Sequence, residues 1–111
     1  MDEQTTDRLF QALADATRRD IVKRAMHGDH SVSALARSYP MSFAAVQKHV
    51  AVLERAGLVT KQRRGREQLV RSNIDSIQTA YHLLEQFEAL WRDRIDRFGA
   101  ILDEPIEGET E

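Results

Sequence analysis

The clearest pattern along the chain runs from Ser42 to Leu58, SFAAVQKHVAVLERAGL. Val46, Val50 and Leu53 recur at i, i+4 and i+7, the spacing of one buried helical stripe. Ser42 can cap the first turn by accepting a backbone N–H, and Pro40 keeps the preceding helix from running on. At the other end Gly57 supplies a left-handed residue that closes the helix, with Leu58 packing back over the turn. The face opposite the apolar stripe carries Gln47, Lys48, Ala51, Glu54 and Arg55. Its N-terminal half is short, polar and uncharged or positive.

The same spacing places three shorter helices upstream. Residues 1–4 read as frayed. Thr5 or Thr6 then caps a helix whose apolar side is Leu9, Phe10, Leu13 and Ala14. After a break at Asp15-Ala16-Thr17, a second helix from about Thr17 to His27 buries Ile21, Val22 and Ala25 and stops at Gly28. Ser31-Val32-Ser33 opens a third with Leu35 and Ala36 inward, ending before Pro40. This third helix and the focal one, separated by the Met41-Ser42 turn, make a helix-turn-helix.

Beyond Gly57 the period changes. Residues 58–63 and 67–71 read as two strands joined at Arg64-Gly65-Arg66, a β-hairpin with Gly65 as the flexible turn residue. A two-stranded hairpin is not stable alone and must lean on the helices, which gives a winged helix. A single long helix follows, from Asp75 to Leu102. Ile77, Tyr81, Leu84, Trp91, Ile95, Phe98 and Leu102 share its stripe, with Glu88 as the one departure and Leu83, Phe87 and Leu90 widening it. At roughly 40 Å it exceeds what so small a domain needs to cover its own core, and an apolar face of that size calls for a second copy. The expected architecture is therefore mainly α with a small β-hairpin: five helices plus a two-stranded wing. Residues 1–103 form one domain, and 104–111 an acidic disordered tail with Pro105, Gly108 and four glutamates.

Composition narrows the function. The chain has 111 residues and no cysteine, enough for one core and excluding disulfides and thiolate metal sites. No signal peptide and no apolar run near the ~20 residues of a membrane span is present, so the expected location is cytoplasmic and no membrane partner is implied. Net charge is −2 overall, but it is segregated: residues 1–40 sum to zero, 41–71 to +5, and 72–111 to −7. Phosphate attraction acts within a Debye length of roughly 8–10 Å, so the local excess around the focal helix and wing is what counts. A capped helix with a polar outer face, followed by a basic hairpin, suits double-stranded DNA: helix in the major groove, wing on the backbone or minor groove. By position Ser42, Phe43, Ala44, Gln47 and Lys48 lead on the helix, with Arg55 further along the same face and Arg63, Arg64 and Arg66 at the wing tip. Gln47 can pair with adenine, and Lys48 can reach guanine or phosphate.

With ALADATRRDIV at 12–22 and SFAAVQKHVAVLERAGLV at 42–59, the sequence resembles the ArsR/SmtB family of small winged-helix repressors over residues 6–102. That resemblance implies a homodimer built through the N- and C-terminal helices, with Leu9, Phe10, Phe87, Trp91 and Phe98 at the interface. It also implies that His49 lies near the DNA backbone, against the alternative of a partly buried, hydrogen-bonded histidine. Phe43 departs from the polar residue usual in the family, leaving contact with a thymine methyl or packing on the preceding helix. Ser31 and Ser33 stand where metal-sensing members carry a cysteine pair, and hydroxyls are poor ligands for thiophilic ions. Asp75, His82, Glu85 and Glu88 are the nearest approach to the other metal site, but one histidine is too few. The likeness is to the cysteine-free branch, with no cofactor or metal expected.

The leading expectation is a repressor whose dimer binds an inverted-repeat operator. One rival is an effector- or metal-responsive regulator with its site at the dimer interface, the effector being unknown. The other is a protein-interaction module using the C-terminal helix. An enzyme is not expected: there is no nucleophile–base constellation, no phosphate loop, and the four histidines are scattered.

Overall fold

A computed structural model describes the backbone of residues 2–103 and the side chains of residues 2–100. The acidic segment 104–111 and the Leu102 side chain lie outside the described residues. Within them, five helices and three strands follow in the order α1 (Glu3–Leu13), α2 (Ala16–His27), β1 (His30–Ser31), α3 (Val32–Ala36), α4 (Phe43–Arg55), β2 (Val59–Arg64), β3 (Glu67–Ser72) and α5 (Ile74–Asp103). Two compact units divide at Ala80 and Tyr81, within α5.

The first unit has a wholly apolar core among its described residues. Leu9, Ile21, Leu35, Val46, Val50, Leu53, Leu58, Val59 and Val70 are all but inaccessible, and no charged or polar side chain is buried with them. The stripe at Val46, Val50 and Leu53 faces this core as its spacing requires. Serine or aspartate side chains start the first four helices: Asp2, Asp15, Ser31 and Ser42 each accept a backbone N–H three residues on, at 2.7–3.1 Å. Asp2 moves the start of α1 ahead of the expected Thr5 or Thr6 cap. Thr5 donates its backbone N–H to Asp2, and the Thr6 hydroxyl binds the Asp2 carbonyl, so Glu3 and Gln4 are helical rather than frayed. On α1 the buried positions are Leu9 and Ala12, while Ala14, expected inward, is an exposed C-cap.

The end of α4 is a Schellman closure. Leu58 N–H bonds Leu53 O and Gly57 N–H bonds Glu54 O, both at 3.0 Å, with Gly57 at φ 76°. Gly57 O also accepts the Ser76 hydroxyl at 2.7 Å, and a Cβ at Gly57 would stand 2.8 Å from that oxygen. Gly57→Ala is therefore expected to cost about 2 kcal/mol from the left-handed backbone alone, and more from the close approach. A denaturant midpoint unchanged from the parent would contradict this.

The wing is a three-stranded antiparallel sheet in the order β1-β3-β2, not the expected two-stranded hairpin. His30 and Ser31 pair with Val70 and Leu69, adding a short edge strand that the pattern of a two-residue segment cannot signal. Arg64 pairs with Glu67 around a two-residue turn, where Gly65 has φ 62°; among the described residues no non-glycine residue has positive φ. Glycine at the first central position alone fits a type II′ turn, whose twist suits the strands.

A polar bridge fixes the approach to α4. The Tyr39 hydroxyl donates to Asp20 Oδ2 at 2.6 Å, Arg24 Nε donates to the same oxygen at 2.8 Å, and the guanidinium lies over the Tyr39 ring. Burial, then the bond to Asp20, pushes the Tyr39 phenol up to about 12, keeping it a donor. The bond from Tyr39, then that from Arg24, holds Asp20 below the usual carboxylate range. The segment between α3 and α4 is thus tied to α2 by its side chains.

The second unit is the helix from Tyr81 onward. Tyr81, Leu84, Phe87, Leu90, Trp91, Ile95 and Phe98 are each 48–68% exposed, a continuous apolar surface with no cover among the described residues.

Candidate nucleic-acid interface

Because Val46, Val50 and Leu53 fasten α4 to the core, the opposite side of a helix of 3.6 residues per turn must face outward. Ala44, Gln47, Lys48 and Arg55 are exposed there, and Ala51 is half-buried. Ser42 accepts the Ala45 N–H at 3.1 Å, so its oxygen is occupied as a cap while its O–H remains able to donate. Phe43, the first helical residue, is 46% exposed and is not among the residues packed against the core. The N-terminal end of α4 also carries the unpaired amides and partial positive charge that attract phosphate oxygens.

Arg55 lies eight residues beyond Gln47, about 12 Å along the axis. It lines a shallow hollow with Arg8, Gln11, Arg18, Val52 and Ala56. It shares the outward face but is separated from the N-terminal reading group, and three arginines around a hollow with no carboxylate in its lining suit a phosphate, not a base edge.

The basic charges of residues 41–71 divide into two groups. Lys61 is engaged by Glu54 at 3.4 Å, which neutralises the one acid on the outer face of α4. Arg71 is held by Asp29 at 3.1 Å and by Gln62 at 2.9 Å. Arg63 donates from Nε to the Gly65 carbonyl at 3.3 Å and is exposed. Lys48, Arg55, Arg64 and Arg66 make no ion pair among the described residues, and each is exposed. The surplus positive charge therefore sits on the outer face of α4 and at the wing tip.

The structure places His49 against Arg18. Its Nδ1 lies 3.3 Å from Arg18 Nη1, and arginine can only donate. The side chain is half-buried at the junction of α1 and α2, on the flank of α4 away from Gln47 and Lys48. The contact is the one expected of a partly buried, hydrogen-bonded histidine.

The Arg18 contact explains a segment whose chemistry the sequence left blank. Arg18 donates from Nε to Ala12 O at 2.8 Å and from Nη2 to Gln11 O at 3.0 Å, and Arg19 donates to Leu13 O at 2.7 Å. Those carbonyls belong to the last turn of α1, at its negative end, and that of Gln11 also accepts the Ala14 N–H at 3.1 Å. Backbone donation from Arg18 N–H holds the Asp15 carboxylate below its ordinary range. Asp15 caps α2 while Arg18 closes α1 and reaches α4, so Asp15-Ala16-Thr17-Arg18-Arg19 is a joint between three helices. Arg18→Ala is expected to lower stability by about 2 kcal/mol. Lysine should restore little, lacking the fork. Equal thermal midpoints for parent and alanine variant would refute that joint.

Leu9, expected at a subunit interface, is 1% exposed within the chain and belongs to the core, so it has no surface to offer a partner. Phe10 is half-buried against the core. Phe87, Trp91 and Phe98 are exposed at 57%, 58% and 65%. His82 meets Glu85 at 3.4 Å, and among the described residues no three metal-ligating side chains converge.

The comparisons with known proteins agree with this geometry. No protein-family model matches the chain. The HTH-type transcriptional regulator Rv2034 of Mycobacterium tuberculosis is 34% identical over 100 residues, which cover 90% of this chain and 91% of that one. A solved ArsR-like transcriptional regulator from Rhodococcus sp. RHA1 superposes with a TM-score of 0.78 at 32% identity, covering 88% of this chain and 92% of that one. The chain belongs to the ArsR family. A third relation is one of fold alone: the homodimeric winged helix-turn-helix domain of Mb0332 from Mycobacterium bovis, at 24% identity and TM-score 0.64, covers 78% and 80% of the two chains. As an ArsR-family winged helix-turn-helix protein, this chain is a DNA-binding transcriptional regulator. Its helix-turn-helix is α3 with α4, and its wing is the β1-β3-β2 sheet.

Proposed function

We propose that the protein is a homodimeric repressor that recognises an inverted-repeat operator, each subunit laying α4 in a major groove and its wing on the neighbouring backbone or minor groove. The observation that carries this is the coincidence of polarity on α4: core on one face, Gln47 and Lys48 unobstructed on the other. In this reading Ser42, Phe43, Ala44, Gln47 and Lys48 meet the groove. Arg55, Arg63, Arg64 and Arg66 meet phosphates. His49 acts from behind by holding α4 to Arg18. The same polarity weighs against a purely structural winged helix, because an interaction module through α5 would not need cations without partners on α4 and the wing tip.

The homodimer rests on the uncovered apolar face of α5 from Tyr81 to Phe98, and a structural neighbour with the same fold is homodimeric. Phe87, Trp91 and Phe98 are the proposed contacts from this element, and Phe10 the one from α1. Repression then follows by occlusion, since a dimer across two adjacent major grooves covers DNA that a polymerase must reach.

Salt dependence tests the wing. Binding should weaken linearly on logarithmic axes, with the slope shrinking by about 0.9 for each phosphate no longer neutralised. Replacing Arg64 and Arg66 with alanine removes two cations per subunit, so the magnitude of the slope should fall by about 3–4 in a dimer. An unchanged slope, with weaker binding or without it, would take the wing off the DNA.

A further inference from the structure

We infer that Phe43 reads the C5-methyl group of a pyrimidine, so that each half-site must present a methylated pyrimidine within reach of the first turn of α4. This rests on the proposal that α4 enters the major groove and assigns one determinant within it.

Four observations lead there. Phe43 is a large apolar side chain 46% exposed on a chain whose first unit otherwise puts its large apolar residues inside, Met26 and Ile74 aside. It occupies the first position of α4, one turn before Gln47, so the two stand in one column on the helix surface. Ala44, beside it, adds a methyl and no polar group. The neighbouring cap hydroxyl of Ser42 already accepts from Ala45, which leaves its O–H as the one side-chain donor beside them.

The major groove offers such a surface a single apolar partner. Guanine, cytosine and adenine present N7, O6, N4 or N6 groups, each needing a donor or acceptor, while thymine adds a methyl at C5. An aromatic ring against a polar edge would strip it of water without replacing its hydrogen bond, a net cost. Against a methyl it gains the burial of both. Stacked one turn from Gln47, which pairs best with adenine, Phe43 favours half-sites in which a methylated pyrimidine lies beside an adenine. Thymine is one source of that methyl, and 5-methylcytosine presents the same group at the same place. The protein would then either require an A·T-rich step or respond to cytosine methylation.

The test uses the full chain and the duplex it enriches from a random pool. Each thymine of that duplex is replaced in turn by deoxyuridine, which removes only the methyl, and each cytosine by 5-methylcytosine, which adds only the methyl. Affinity is measured for the parent, Phe43→Ala and Phe43→Leu. Losing one buried methyl should weaken the parent about fourfold per half-site. Phe43→Ala should be indifferent to the same change, and Phe43→Leu should retain part of the response. If thymine is the source, one deoxyuridine position per half-site is sensitive. If 5-methylcytosine is the source, one methylated cytosine strengthens parent binding and no deoxyuridine matters. The inference fails if no methyl matters to the parent, or if parent and Phe43→Ala respond alike. A failure of the underlying reading is distinct: then Gln47→Ala and Phe43→Ala would both leave sequence preference untouched.

Discussion

Gln47→Ala should lower operator affinity by about a thousandfold while leaving binding to unrelated DNA nearly unchanged. That magnitude follows from about 2 kcal/mol for each glutamine–adenine pair and two copies per dimer. The substitution is on an exposed helical position and touches no core residue, so the thermal midpoint should hold. Alanine even favours the helix slightly. Lys48→Ala should behave differently, weakening specific and unspecific binding together to the extent that it contacts phosphate. The two variants therefore separate base reading from charge. Competition titration of a labelled operator against scrambled duplex measures both quantities at once. If Gln47→Ala reduced both affinities equally, the side chain would not be reading a base and α4 would have to be turned in the groove.

Glutamate at Trp91 and Phe98 should give a monomer and cost at least about a hundredfold in operator affinity. Each side chain presents more than half of its surface to solvent in the single chain, so neither is needed for the core of the first unit. A dimer binds the second half-site at the high effective concentration set by the first, an advantage of about 10²–10⁴-fold that a monomer forgoes. Sedimentation of the double variant at micromolar concentration gives the state directly, and circular dichroism confirms that α5 remains helical. A dimer that persisted would move the interface off this stripe. A monomer with full operator affinity would disconnect self-association from DNA binding.

Much of this molecule was legible in its sequence because the informative signals are local. The Ser42 cap, the stripe at Val46, Val50 and Leu53, and the closure at Gly57 and Leu58 all depend on residues within one helix, and each stands where its spacing put it. The wing was readable from Gly65 and the change of period, but β1 was not. His30 and Ser31 are a strand only because β3, some forty residues later, offers a free edge. The same limit hid the role of Arg18, whose partners lie on α1 and α4. It also misplaced Leu9, since an apolar residue on an amphipathic helix looks alike whether its cover comes from its own chain or from another. His49 was ambiguous for the equivalent reason: a half-buried polar residue is assigned by its partner, and the partner is thirty-one positions away.

The candidate interface was more legible than the partner contacts that support it. Exposure on α4 follows from what the opposite face buries, so Gln47 and Lys48 could be named from periodicity. Which cations remain available could not. Lys61 and Arg71 count toward the basic segment in the sequence, yet Glu54 and Asp29 engage them in the fold. Counting charges overstates the electrostatic surface, and the residues that survive the pairing are the ones to substitute.

The most direct test is the sequence that the purified protein enriches from a pool of random duplexes. A dimer that places two copies of α4 in successive major grooves should select an imperfect inverted repeat with half-site centres about 10–10.5 base pairs apart. Enrichment of no sequence, or of a single half-site without its inverted mate, would contradict it.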